Sequence, residues 1–274
     1  MSATKLLLVI PLTAAFAYIS LVGLIYLSQR AILYPGASTA APPEHASWGE
    51  NVSIGTPDGE TLHGLYSQGE RGQPSVLFFL GNADRVSNYG FFARALAARG
   101  IGLLAISYRG YPGSTGTPSE DGLLTDGIAA FDWLSTRAGD GIAVLGQSLG
   151  SGVAVNTAGE RPAFAIILVS AFQSVLSLAQ THYPFFPVAL LIKDPFRSDL
   201  RIAKLSQPKL FIHGRRDTII PVSSGEALYH IAPEPKQMLV YDGSGHNDLW
   251  DLRMIDDIVR FLESPKKGAP RLSP

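Results

Sequence analysis

Three observations in the sequence predict an α/β fold, a mostly parallel sheet with helices on both faces. Short apolar runs of strand length recur from residue 75 onward and alternate with segments of helical pattern, the order that builds parallel sheets covered on both sides. The runs end in glycine-bearing or polar turns, the places where sheets of this kind bind ligands. One run, at 142–147, leads into a serine held between glycines, Gly146-Gln147-Ser148-Leu149-Gly150. It continues as Ser151-Gly152-Val153-Ala154, small residues that let a helix pack closely on a sheet.

Length and composition bound the rest. A chain of 274 residues suffices for one large α/β domain, and no internal repeat divides it. A formal net charge of -1 without a basic stripe argues against a nucleic-acid partner. With no cysteine, disulfides, thiol catalysis and thiolate metal sites are excluded.

In chain order, residues 6–27 carry no charge and are rich in Leu, Ile, Val, Ala and Phe; as a helix they would span roughly 33 Å, enough to cross a bilayer. Residues 1–30 are therefore expected to be an N-terminal membrane anchor, with the domain on the non-cytoplasmic side. The rival is a cleaved signal peptide, with Lys5 as its positive start and Ala15-Phe16-Ala17 as its cleavage site. The apolar continuation at 18–27 favours the anchor. A small, polar, proline-containing linker is expected at 31–49, followed by the main domain at 50–265 and a flexible tail at 266–274. Excision of residues 1–30 is expected to leave a soluble, active domain.

Within the domain, alternating segments at 51–54 and 61–66 flank Thr56-Pro57-Asp58-Gly59, a hairpin signal. A strand at 75–80 ends at Gly81-Asn82, a helix is expected at about 86–99, and a strand follows at 101–107. After the loop 108–120 come a helix at about 121–136 and the Ser148 strand with its helix. Strands are then expected at 164–169, 209–214 and 237–241, and a closing helix at about 249–263. Residues 171–207 are too long for a simple crossover and contain Tyr183-Pro184-Phe185-Phe186-Pro187, followed by Val188-Ala189-Leu190-Leu191-Ile192. This insert reads as a cap, either a lid over an acyl pocket or a helical insert packed on the core.

A serine hydroxyl is a poor nucleophile until a base takes its proton and an acid orients that base. Ser148 is followed in order by Asp217, past the strand at 209–214, and His246, past the strand at 237–241. Serine, acid and histidine in that order at strand ends point to nucleophile, acid and base. The N–H groups of Leu149 and Asn82 are the expected donors to an oxyanion, and Phe185 and Phe186 the expected contacts for substrate. Such chemistry calls for no metal and no cofactor. His213, inside a strand, reads as a packed structural residue.

The segments Gly146 to Gly150, His213-Gly214-Arg215-Arg216-Asp217, Gly245-His246-Asn247-Asp248 and Tyr108-Arg109-Gly110-Tyr111-Pro112-Gly113-Ser114 resemble those of the α/β-hydrolase superfamily. With the apolar N-terminus and Phe78-Phe79-Leu80-Gly81-Asn82-Ala83, the chain is similar to its membrane-anchored serine hydrolases, the branch that includes protein depalmitoylases. The resemblance covers about residues 50–265 and places the triad on Ser148, Asp217 and His246. The chain carries Leu80 where that family usually has a histidine, and it lacks the cysteine-rich N-terminus of the depalmitoylases. The expected activity is hydrolysis of an ester or thioester through an acyl-enzyme, with a small-molecule or lipid acyl substrate. Peptidase or amidase activity on the same triad, and a non-catalytic binding protein on this fold, are the alternatives.

Overall fold

The computed structural model describes residues 3–37, 41–138 and 141–263; the tail expected at 266–274 lies outside the described residues. A long helix, α1 (Ala3–Leu33), comes first and carries an apolar stretch, Val9–Leu33, long enough to cross a membrane. It runs three residues into the expected linker. Among the described residues of that linker, Glu44 packs on the domain: its carboxylate accepts from the Ser87 hydroxyl at 2.8 Å, and its carbonyl lies 3.0 Å from His63 Nε2.

The hairpin forms as expected from β1 (Glu50–Gly55) and β2 (Thr61–Ser67), paired antiparallel. Next come β3 (Ser75–Phe79), a 3₁₀ turn at Val86–Tyr89, α2 (Gly90–Ala97) and β4 (Gly102–Ile106). The single helix expected at 86–99 is thus split at Gly90, a poor helix-interior residue. After α3 (Glu120–Ser135), whose Ser119 cap accepts from Gly122 N–H, the chain forms β5 (Ile142–Gln147), α4 (Leu149–Glu160) and β6 (Ala165–Val169). The cap contributes α5 (Val175–His182), α6 (Val188–Leu191) and α7 (Ser198–Ile202). β7 (Lys209–Gly214), α8 (Val222–Ile231), β8 (Lys236–Tyr241) and α9 (Leu252–Glu263) complete the domain.

The described strands form an eight-stranded sheet in the order β1-β2-β4-β3-β5-β6-β7-β8, parallel from β4 through β8. Its strands alternate between two cores. Leu77, Phe79 and Val144 face one with α3 and α4, whereas Val76, Phe78 and Leu145 face the other with α2 and α9. Burial on both faces explains why these strands read as unbroken apolar runs. From β3 the chain goes to β4 on one side, then crosses through α3 to β5 on the other. β3 and β5 therefore flank a switch point, where the carboxyl ends of strands leave a crevice.

Candidate active site

The turn after β5 lies at that crevice. Its Ser148 takes φ 52° and ψ -121°, a left-handed conformation unfavourable for a residue with a side chain. The surroundings hold it there: Ser148 N–H donates to Val169 carbonyl at 2.9 Å, and its own carbonyl accepts from Ser151 N–H and Oγ at 2.9 and 2.7 Å. Two glycines make the turn possible. A Cβ on Gly146 would lie 2.3 Å from Gly150 carbonyl oxygen, and one on Gly150 would lie 2.1 Å from that of Phe79. No side chain fits at either position, so strand and helix can pass this close only with glycine. The hydroxyl consequently stands at the N-terminus of α4.

His246 reaches the serine from the loop after β8. Its Nε2 lies 3.1 Å from Ser148 Oγ, and its Nδ1 lies 2.6 Å from Asp217 Oδ2. Close backbone passage again sets the position, since a Cβ on Gly214 would meet Gly245 carbonyl oxygen at 2.4 Å. Arg216 N–H donates to Ser244 carbonyl at 2.9 Å, and Asp248 accepts from Gly245 N–H at 2.6 Å. Asp248 therefore braces the loop.

Asp217 is buried, and its Oδ1 accepts from Ile219 and Ile220 N–H at 2.9 and 2.8 Å. Burial opposes its charge, but the His213 and His246 rings and the Ile220 N–H hold its carboxyl well below the usual carboxylate range. His213 Nε2 sits 2.9 Å from Ile220 carbonyl oxygen and 3.5 Å from Asp217 Oδ2. It is packed, as its strand position suggests, and it also faces the acid, a contact the sequence does not reveal.

The expected oxyanion donors flank the serine. Leu149 begins α4, so its N–H has no intrahelical acceptor, and Asn82 follows Gly81 at the end of β3. A Cβ on Gly81 would be 3.7 Å from Ser148 Cβ, which measures how close this loop comes. Leu80, where the family usually has histidine, is buried, and its carbonyl accepts from Tyr108 Oη at 2.9 Å. Asn82 carbonyl accepts from Tyr111 Oη at 2.7 Å and Gly36 N–H at 3.2 Å, while its side chain donates to Leu33 carbonyl at 3.0 Å. The loop is thus fastened to the end of α1.

Two cavities meet at Ser148. One, of about 350 Å³, has apolar walls from the cap (Val175, Leu178, Phe186, Leu191) and from α1 (Val22, Ile25). The other, of about 560 Å³, is more polar and is lined by Asp84, Asn88, Tyr89, His246 and Asn247. Of the two expected substrate contacts, Phe186 lines the apolar cavity. Phe185 does not: it is 85% exposed, because successive residues of this turn face opposite ways. The participation of α1 is also new, since a mostly apolar helix gives no sign of which of its faces meets protein.

Comparison with known proteins agrees with this architecture. Residues 71–195 match the family model described as serine aminopeptidase, S33. An uncharacterized protein of Mycobacterium tuberculosis is 39% identical over 271 residues, covering 92% of this chain and 94% of its own. The lysophosphatidylserine lipase of Xenopus tropicalis is 32% identical over 193 residues, 61% of this chain; the match spans about half, 49%, of the lipase. Among solved structures, an esterase of Pyrococcus furiosus superposes with a TM-score of 0.66 at 20% identity, over 82% of this chain and 97% of the esterase, a likeness of fold.

Proposed function

This chain belongs to the α/β-hydrolase superfamily, and on that premise we propose that it is a membrane-tethered serine hydrolase cleaving acyl esters or thioesters through an acyl-enzyme. The observation that carries the reading is the hydrogen-bonded run from Ser148 Oγ through His246 to Asp217 at the floor of an apolar cleft. Ser148 Oγ attacks the acyl carbonyl as its proton passes to His246 Nε2, and the oxyanion forms beside Leu149 and Asn82 N–H. The carbonyl re-forms, the alkoxide or thiolate leaves with the proton from His246, and Ser148 holds the acyl group. Water then gives its proton to His246 and attacks the ester; the acid departs and Oγ recovers its proton. Asp217 orients the ring and stabilises its charged form.

The apolar cavity suits the acyl chain. The polar cavity suits the leaving group and the entering water. A series of p-nitrophenyl esters tests this: kcat/KM should rise from acetate to medium chains, by up to roughly tenfold for every two methylenes buried at about 0.8 kcal/mol each. A flat or falling series would remove the acyl pocket and leave the triad. Amide cleavage is the second reading, favoured by the description of the matched family model; aminoacyl anilides turned over faster than any ester would establish it.

A further inference from the structure

From Tyr18 onward α1 is part of the cap. Val22, Ile25, Gln29 and Leu33 recur at helical spacing on one face and line the apolar cavity, while Leu21, Leu24 and Leu27 point outward, 47%, 61% and 76% exposed. Polar contacts lock the pair together. Arg30 makes a two-pronged ion pair to Asp194 at 2.8 and 3.1 Å, and Asp194 is 3% exposed. Gln29 accepts from Lys193 N–H at 2.8 Å and donates to Leu191 carbonyl at 3.2 Å. Further down, Tyr18 stacks on Phe186 with centroids 6.0 Å apart, and its hydroxyl donates to Phe185 carbonyl at 2.8 Å.

This docking conflicts with a domain that merely hangs from its anchor. Residues 6–17, the uncharged stretch below the docked part, supply only about 18 Å of helix, against a hydrocarbon core about 30 Å thick. If α1 spans, roughly eight more residues must enter the hydrocarbon, beginning with Tyr18, which contacts Phe185 and Phe186. The cap is suited to follow. Phe185 and Leu190 are each 85% exposed, and no charged residue interrupts the insert from 183 to 192.

We infer that the cap tip is immersed in the bilayer beside α1, so that an acyl chain passes sideways from the leaflet, between α1 and the cap, to Ser148. Val22, Ile25 and Phe186 are then specificity-determining residues. The inference rests on the serine-hydrolase reading for its chemistry and on an uncleaved α1 for its geometry.

The chain has no cysteine, so single-thiol variants need no background removal. Full-length Leu190→Cys, carrying a nitroxide and reconstituted in phosphatidylcholine vesicles, should be relaxed by oxygen more than by a water-soluble nickel chelate, as Leu24→Cys should be. An Asp242→Cys label should show the reverse. In the same vesicles Ile25→Trp, which fills the cleft, should lower kcat/KM for a decanoyl ester at least tenfold more than for acetate. A Leu190 label as open to nickel as the Asp242 label, an unchanged decanoyl-to-acetate ratio in Ile25→Trp, or a mature N-terminus at Tyr18 would each overturn the lateral entrance. Fluorophosphonate labelling separates the two claims. An unlabelled Ser148 removes the hydrolase, whereas a labelled Ser148 beneath a water-exposed Leu190 removes only the entrance.

Discussion

Ser148, His246 and Asp217 are hydrogen-bonded in series, so each should fail in its own way when replaced. Ser148→Ala and His246→Ala should each lower kcat by roughly 10⁵- to 10⁶-fold with the fold intact, and Asp217→Asn by about 10²- to 10⁴-fold, as steady-state kinetics would show. Asp248→Asn loosens only a brace on the loop and should cost far less; a dead Asp248→Asn with a silent Asp217→Asn would reverse the assignment of the acid. Asp217 also marks a pH dependence. A carboxyl whose folded pKa lies below its unfolded one stabilises the fold above the unfolded value, and this is lost as pH falls through the folded value. Asp217→Asn should therefore melt below the parent at neutral pH, with the gap narrowing as pH drops below about 4. A gap that stays constant into that range would place the carboxyl's stabilising contacts elsewhere. These three residues were legible because each follows a strand that announces itself. His213, inside β7 and four residues before Asp217, is legible only as packing, since its approach to Asp217 depends on the turn that follows.

The element that fixes the serine is the β5–α4 turn, where Gly146 and Gly150 leave no room for a methyl group. Gly150→Ala should lower thermal stability by about 1–3 kcal/mol through forced displacement of the Phe79 carbonyl, and should lower fluorophosphonate labelling with it. An alanine variant with parental Tm and labelling would show that the turn is looser than its geometry implies. Elements of regular period are legible in the sequence: β7 matches its expected bounds and α3 is displaced by one residue. α8 opens with the weakly helical run Val222-Ser223-Ser224-Gly225 and gave no pattern to read, although it packs beside His213. Length and apolarity mark the insert at 171–207, but neither property says that Phe186 turns inward and Phe185 outward. Phe186→Ala should accordingly flatten the chain-length series more than Phe185→Ala; equal effects would argue against the orientation seen.

For the whole molecule, the expected separation of anchor and enzyme is what the structure revises. Val22, Ile25 and Gln29 of α1 close one side of the apolar cavity and Arg30 pairs with Asp194, so removing residues 1–30 opens the site. A chain beginning at residue 31 should still react with a small fluorophosphonate, yet lose most of its preference for medium over short acyl chains in the ester series. An undiminished preference would show that α1 is only a tether. Residues 22–33 do not disclose this in sequence because the apolar side chains that suit lipid also suit a protein cleft. The central claim, that Ser148 is the nucleophile of a serine hydrolase, is tested most directly by treating the full-length protein with a fluorophosphonate and locating the adduct by mass spectrometry. One adduct per chain is expected, on Ser148, absent in Ser148→Ala and strongly slowed in His246→Ala; no adduct on the parent protein, or the same adduct persisting in Ser148→Ala, would show that Ser148 is not the nucleophile.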